Sequence, residues 1–232
     1  MRAAVAAHAA RGVDVIKVMA SGGFITPGSA AERPQFGPDE LRAAVEAAHA
    51  HGLPLTAHAH STAAIALAVD AGVDGIEHCS FVTADGVDAP AELVELIARR
   101  RIVVGATLGM LPGTDPPPAI AALVDAFFAN TARLHQAGAA IVAGTDAGVG
   151  PPKPHGVLPH AARDLARIGF TNGEALRSMT ADAAGVCGIG SRTGRIAPGM
   201  DADLLVVRGD PLADLGALHD VVAVYHRGRR VR

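Results

Sequence analysis

The sequence predicts an α/β protein built on a parallel sheet, and three observations carry that prediction. Short apolar runs rich in Val and Ile alternate with Ala- and Leu-rich segments bearing helix start and stop signals. The apolar runs are nearly continuous, which suits strands buried on both faces. Residues able to bind metal or move protons recur at the C-terminal tips of these runs, where α/β folds gather their sites. At this level a barrel and an open sheet fit equally well.

The elements follow in order. Residues 1–12, "MRAAVAAHAARG", read as a helix and not a signal peptide, because no long apolar core follows the early Arg. Strand candidates are "VDVIKVM" (13–19), "LPLTAHA" (53–59), "GIEHC" (75–79), "RIVVGAT" (101–107) and "AAIVAGT" (139–145). Helices fill the gaps. "PDELRAAVEAAHAHG" opens with Pro38 and two acids and closes at Gly52. "STAAIALAVDAG" opens on a hydroxyl cap and closes at Gly72. "APAELVELIARRR" ends on cations that complement the helix dipole. "PAIAALVDAFFANTARLHQAG" ends at Gly138, and "TNGEALRSMTADAAGV" opens with a capping box from Thr171 to Glu174.

The tail changes character. "DADLLVV" and "VVAVYHRG" read as two antiparallel strands with turns around them. Two strands alone are marginal, so this part needs further strands. The expected division is 1–191 for the α/β part and 192–232 for a small β appendage.

Composition excludes several function classes. The formal net charge is −3, and the one Arg cluster, Arg227, Arg229, Arg230 and Arg232, reads as a solvated end. No nucleic-acid partner is expected. No apolar stretch approaches the ~20 residues that span a bilayer, so no membrane partner is expected either. Cys79 and Cys187 lie far apart outside any C-x-x-C pattern, which points to a reducing compartment and a cytoplasmic location.

The strand tips carry Lys17, His58 with His60, His78, and Asp146. Each has an ordinary reading. Lys17 could snorkel from a strand end, the histidines could be hydrogen-bonded core residues, and Asp146 could serve a turn. All of these holding together is far less common than any one. Lys17 stands between Ile16 and Val18, so its ammonium is expected to be buried, at a cost unless paired or chemically changed. Imidazoles with a carboxylate suit Zn²⁺ or another divalent ion. Such an ion lowers the pKa of its water, and a nearby Asp can accept the proton. His58 and His60 are two apart, so on a strand they share a side.

"VIKVMASGG", "LTAHAHST", "GIEHCSF", "VAGTDAG" and "TGRIAPGMDADLLVVRGDPL" together resemble the amidohydrolase superfamily, in its imidazolonepropionase-like and Xaa-Pro or Xaa-Arg dipeptidase branch. The likeness runs from about Gly12 to the end. It implies a (β/α)₈ TIM barrel with one or two divalent metals, Zn²⁺ or another ion, at its mouth. Lys17 would match the strand-four lysine that CO₂ carboxylates to bridge two metals. His58 would match the strand-five ligand and His78 the strand-six ligand. Asp146 would match the strand-eight aspartate that binds metal and handles the proton of the attacking water. His60 would line the pocket or support a ligand, and His155 in "PPKPHG" could touch substrate, with a plain loop as the alternative. The implied activity is hydrolysis of C–N bonds in a small amide or dipeptide.

The family's strand-one His-x-His is not found before Lys17. The expectation is therefore a partial barrel, strands four to eight, followed by the C-terminal strands of a small β-sandwich appendage. Such a fragment is expected to self-associate or to need a complementary N-terminal segment, because an open barrel edge invites pairing. Two other readings stay open: a Schiff-base lyase using Lys17, and a catalytically inactive fragment or interaction module.

Overall fold

Every run read as a strand becomes one, and the first four lie parallel. The computed structural model describes residues 1–232. In chain order the elements are α1 (Arg2–Ala9), β1 (Ile16–Met19), α2 (Pro38–Ala50), β2 (Leu55–Ser61), α3 (Thr62–Ala71), β3 (Gly75–Thr83), β4 (Gly86–Val87), α4 (Ala91–Arg99), β5 (Val103–Thr107), α5 (Pro118–Ala121), α6 (Val124–Gln136) and β6 (Ile141–Gly144). There follow α7 (Leu158–Arg167), α8 (Asn172–Ser178), α9 (Ala181–Val186), β7 (Leu204–Val207), a 3₁₀ turn (Leu215–His219), β8 (Val221–His226) and β9 (Arg229–Arg230). The chain divides into two units, Met1–Ala106 with Pro116–Ile141, and Thr107–Asp115 with Val142–Arg232.

Within the first unit the strands run β1-β2-β3-β5, with β4 paired antiparallel to the end of β3. Parallel register sets Lys17 against Thr56, Met19 against His58, His58 against Glu77, and Glu77 against Gly105. Paired residues point to the same side, so Lys17, Thr56, His58 and Glu77 share one face. The other face carries Ile16, Val18, Leu55, Ala57, Ile76 and Val104, all buried. Leu41, Ile65, Val69 and Ile97 from the flanking helices are buried with them. Each such aliphatic side chain contributes about 1.5–3 kcal/mol of burial.

The β2–α3 junction shows how sequence fixes local structure. Ser61 ends the strand with extended dihedrals, and its hydroxyl accepts the amide of Ala64 at 3.3 Å. The same hydroxyl donates to the carbonyl of Glu32 at 3.0 Å. After the ten residues of α3, Gly72 takes the left-handed conformation, φ +84°, that stops the helix.

Some expectations need correction. Lys17 is exposed, not buried, because β1 is an edge strand with buried neighbours only at Ile16 and Val18. The long helix expected over 118–138 is interrupted at Ala122 and Leu123, giving α5 and α6. That expected over 171–186 breaks at Thr180, whose φ −126°, ψ −91° is not helical. Helix α7 was not foreseen. Its start carries no side-chain cap, only Pro159 in the first turn.

In the second unit β7 and β8 pair antiparallel as expected, and β9 adds a third, two-residue strand. Arg227 and Gly228 turn β8 into β9, both at positive φ, the signature of a tight hairpin turn. Asp203 ties this hairpin to its own sheet by accepting from the backbone of Arg227 and bonding His226, each at 2.9 Å. No helix is long and apolar enough to cross a membrane.

Candidate metal centre

The first unit gathers three imidazoles at the C-terminal end of its central strands. His58, His60 and His78 have ligand nitrogens all within 4.8 Å of one another. Their ring centroids lie 4.8 Å (His58–His60), 4.6 Å (His58–His78) and 4.4 Å (His60–His78) apart. His58 and His60 are each 8% exposed, and His78 is half-buried.

His58 and His60 reach one side by ordinary strand alternation. His78 does not. It is in register with Ala59, whose face is turned to the helices, so regular geometry would send His78 away from the cluster. Instead His78, Cys79 and Phe81 adopt φ of 69°, 51° and 59°. Left-handed backbone in non-glycine residues costs on the order of 1–2 kcal/mol each. The structure holds it from both sides: Phe81 and Cys79 are buried, Asn130 donates to the Ser80 carbonyl at 3.1 Å, and Asp88 donates to the Phe81 carbonyl at 2.8 Å.

Hydrogen bonds orient two of the rings. His58 Nε2 lies 3.2 Å from the carbonyl oxygen of Gly22. A carbonyl only accepts, so Nε2 donates, and Nδ1 lies on the opposite side of the ring. His60 Nδ1 lies 3.0 Å from the Ser80 hydroxyl, which leaves Nε2 on the other side of the ring. Burial first, and then the neighbouring His58, push His60 down to a pKa of about 3. It is therefore neutral at ordinary pH, the form that ligates metal.

The donor set fits a divalent ion. Three clustered imidazoles, two of them oriented by outer hydrogen bonds, have the chemistry of a nitrogen-rich site. With metal–nitrogen bonds of about 2.0–2.1 Å, two nitrogens of a tetrahedral site lie ~3.4 Å apart. The 4.8 Å envelope shows that the rings would close in somewhat on such an ion.

The remaining expected residues stand elsewhere on the chain. Lys17 lies on the same sheet face as His58, in register with Thr56, and its ammonium is exposed. That exposure supplies none of the desolvation a Schiff-base lysine needs. Asp146 follows β6 in the second unit, exposed and at φ 55°. His155 is exposed in the loop beyond it, close to Gly148. His60, assigned a supporting role from sequence, is a full member of the imidazole cluster.

Other site residues were not singled out. Ser21 accepts the backbone amide of His60 at 2.8 Å, and Ser80 bonds its ring. Glu77 accepts from Thr56 Oγ1 at 2.9 Å and occupies the space left by Gly105, where a Cβ would run into its carboxylate. Lys153 donates to the carbonyls of Thr107 (2.6 Å) and Thr145 (3.0 Å), within the second unit. Burial lowers its pKa, and Asp146 and Asp164 oppose that. Its rarity was the available signal, since Lys17 is the chain's only other lysine.

A mostly parallel α/β sheet thus brings together three imidazoles that could hold a metal ion. The amidohydrolase family model matches residues 2–231, and the chain belongs to that family. Ochratoxinase from Aspergillus niger is 30% identical over 239 residues, covering 97% of this chain and 47% of that protein. Imidazolonepropionase from Streptomyces avermitilis is 32% identical over 207 residues, covering 87% of this chain and 46% of that one. A crystal structure of a Xaa-Pro dipeptidase with methionine bound in its active site superposes with a TM-score of 0.86 at 28% identity, covering 100% of this chain and 57% of that one. The chain thus spans about half the length of the relatives it matches.

Proposed function

We propose that this chain carries the C-terminal strands of a metal-dependent barrel hydrolase and acts on C–N bonds of a small amide or dipeptide. The single observation behind this is the cluster of His58, His60 and His78, built at the expense of left-handed backbone at His78. Strain of this kind concentrates where function over-determines geometry. Family membership and relatives named as a dipeptidase and an imidazolonepropionase support the same reading.

His58 and His78 hold the ion in this proposal, and His60 either joins them or fixes the pocket wall. Lys17, on the His58 face of the sheet, is the residue for CO₂-derived carboxylation, which would turn a cation into a bridging carboxylate. A bound divalent ion would supply Lewis acidity toward a carbonyl oxygen and lower the pKa of water. Asp146 takes the proton of the attacking water and returns it to the leaving nitrogen. His155, in the loop after Asp146, is the candidate for touching substrate in this reading. The β7–β8–β9 sheet belongs to a small sandwich in this reading. In the same proposal the open barrel edge is covered by self-association or by a complementary N-terminal segment.

The test is hydrolysis of an N-acyl dipeptide series by the full chain, with and without a chelator and with Asp146→Ala. Activity that is lost on chelation, restored by Zn²⁺ and absent in Asp146→Ala supports the reading. Hydrolysis that survives both treatments contradicts it.

A further inference from the structure

The chain is poor in aromatic residues, with six Phe, one Tyr and no Trp. Two of the six phenylalanines nevertheless converge beside the imidazole cluster. Phe24 packs edge-on against His60 with ring centroids 4.9 Å apart and lies 6.1 Å from Phe127. Both are only half-buried, so a part of each ring remains open to an incoming group.

The supports of these two rings are independent of each other. Phe24 sits on the loop after β1. This loop is closed at its base by Gln35 donating to the Ala20 and Ser21 carbonyls, at 2.8 and 2.7 Å, and internally by Gly23 donating to Ser29 Oγ at 2.8 Å. Gly22 is required there, because a Cβ would strike the backbone of Ala30. The loop's Gly22 carbonyl also receives His58, so one segment both orients a candidate ligand and delivers Phe24. Phe127 comes from α6, one turn before Asn130, which holds the Ser80 carbonyl. Both supports therefore lead back to the imidazole cluster.

From this we infer that Phe24 and Phe127 form a substrate subsite that selects an aromatic or other large apolar side chain next to the scissile amide. The inference rests on the hydrolase reading and adds a substrate class to it. Aromatic faces recognise apolar rings through offset or edge-on contact, beyond simple burial. Phe24 meets both His60 and Phe127 ring to ring. Phe24 is thus a specificity-determining residue, distinct from the groups that move protons.

The experiment measures calorimetric affinity of the full, cobalt-loaded chain for two probes, N-acetyl-L-phenylalaninamide and N-acetylglycinamide. Wild type is expected to prefer the phenylalanine probe about tenfold, the size of one good aromatic contact. Phe24→Ala should bring that ratio near one while leaving the glycine probe and the cobalt absorption unchanged, and Phe24→Leu should fall between. No preference in wild type, or equal loss for both probes in Phe24→Ala, overturns the subsite. Absence of a cobalt signal in wild type counts against the metal reading instead, and the probe ratio still judges the subsite by itself.

Discussion

Replacing Ser80 by Ala removes one oxygen and should be felt twice. The Ser80 hydroxyl bonds His60 Nδ1 at 3.0 Å, and both residues are buried, so water does not readily take its place. A ring nitrogen left without its partner in such surroundings costs about 1–3 kcal/mol. For a chain of this size each kcal/mol lowers Tm by roughly 2–4 °C, which gives a drop of about 2–12 °C. The second effect is on metal. Groups that orient a ligating imidazole are worth about 10–100-fold in metal affinity. The assay is competition for Zn²⁺ against a chromophoric chelator, run beside thermal unfolding. Ser80→Cys, which keeps the shape and a weak donor, should fall between wild type and Ser80→Ala. A Ser80→Ala protein with wild-type metal affinity would refute the claim that this bond aims His60 at an ion.

Two further outcomes follow from the same geometry. His60 is depressed to about 3 from an ordinary 6.5, so between those pH values the unfolded chain binds a proton that the folded chain does not. The metal-free protein should hold this stability in full above pH 6.5 and lose it as pH falls toward 3, at up to about 1.4 kcal/mol per pH unit. Denaturant melts of wild type and His60→Gln across that range check it, the variant showing the flatter slope. Gly105→Ala should destabilise only mildly, by under about 1 kcal/mol, because its Cβ meets the far end of the flexible Glu77 side chain, which must swing aside. Adding Glu77→Ala should recover part of that loss, and strict additivity of the two changes would contradict the contact.

Much of the sheet was legible because buried parallel strands leave a run of β-branched and small residues bounded by glycine and caps. "LPLTAHAHST" showed both a strand and its polar tip, and alternation placed His58 and His60 on one side. The helix starts at Ser61 and Thr171 were equally plain, since a side-chain cap is a local feature. What escaped was set by tertiary context. Period-two reading sends His78 to the wrong face, and only the left-handed turn at His78, Cys79 and Phe81 brings it back. No residue type in "GIEHCSF" announces that turn. Lys17 was expected in the interior from its apolar neighbours, yet exposure depends on how many strands flank it. The breaks at Leu123 and Thr180 likewise have no glycine or proline to mark them.

The most direct measurement is cobalt(II) titration of the chelator-stripped protein, followed by visible absorption, for wild type and for His58→Ala, His60→Ala and His78→Ala separately. The account predicts stoichiometric binding with ligand-field bands in wild type, and weakened or absent bands in His58→Ala and His78→Ala. Cobalt binding that is indifferent to both of those substitutions would contradict it.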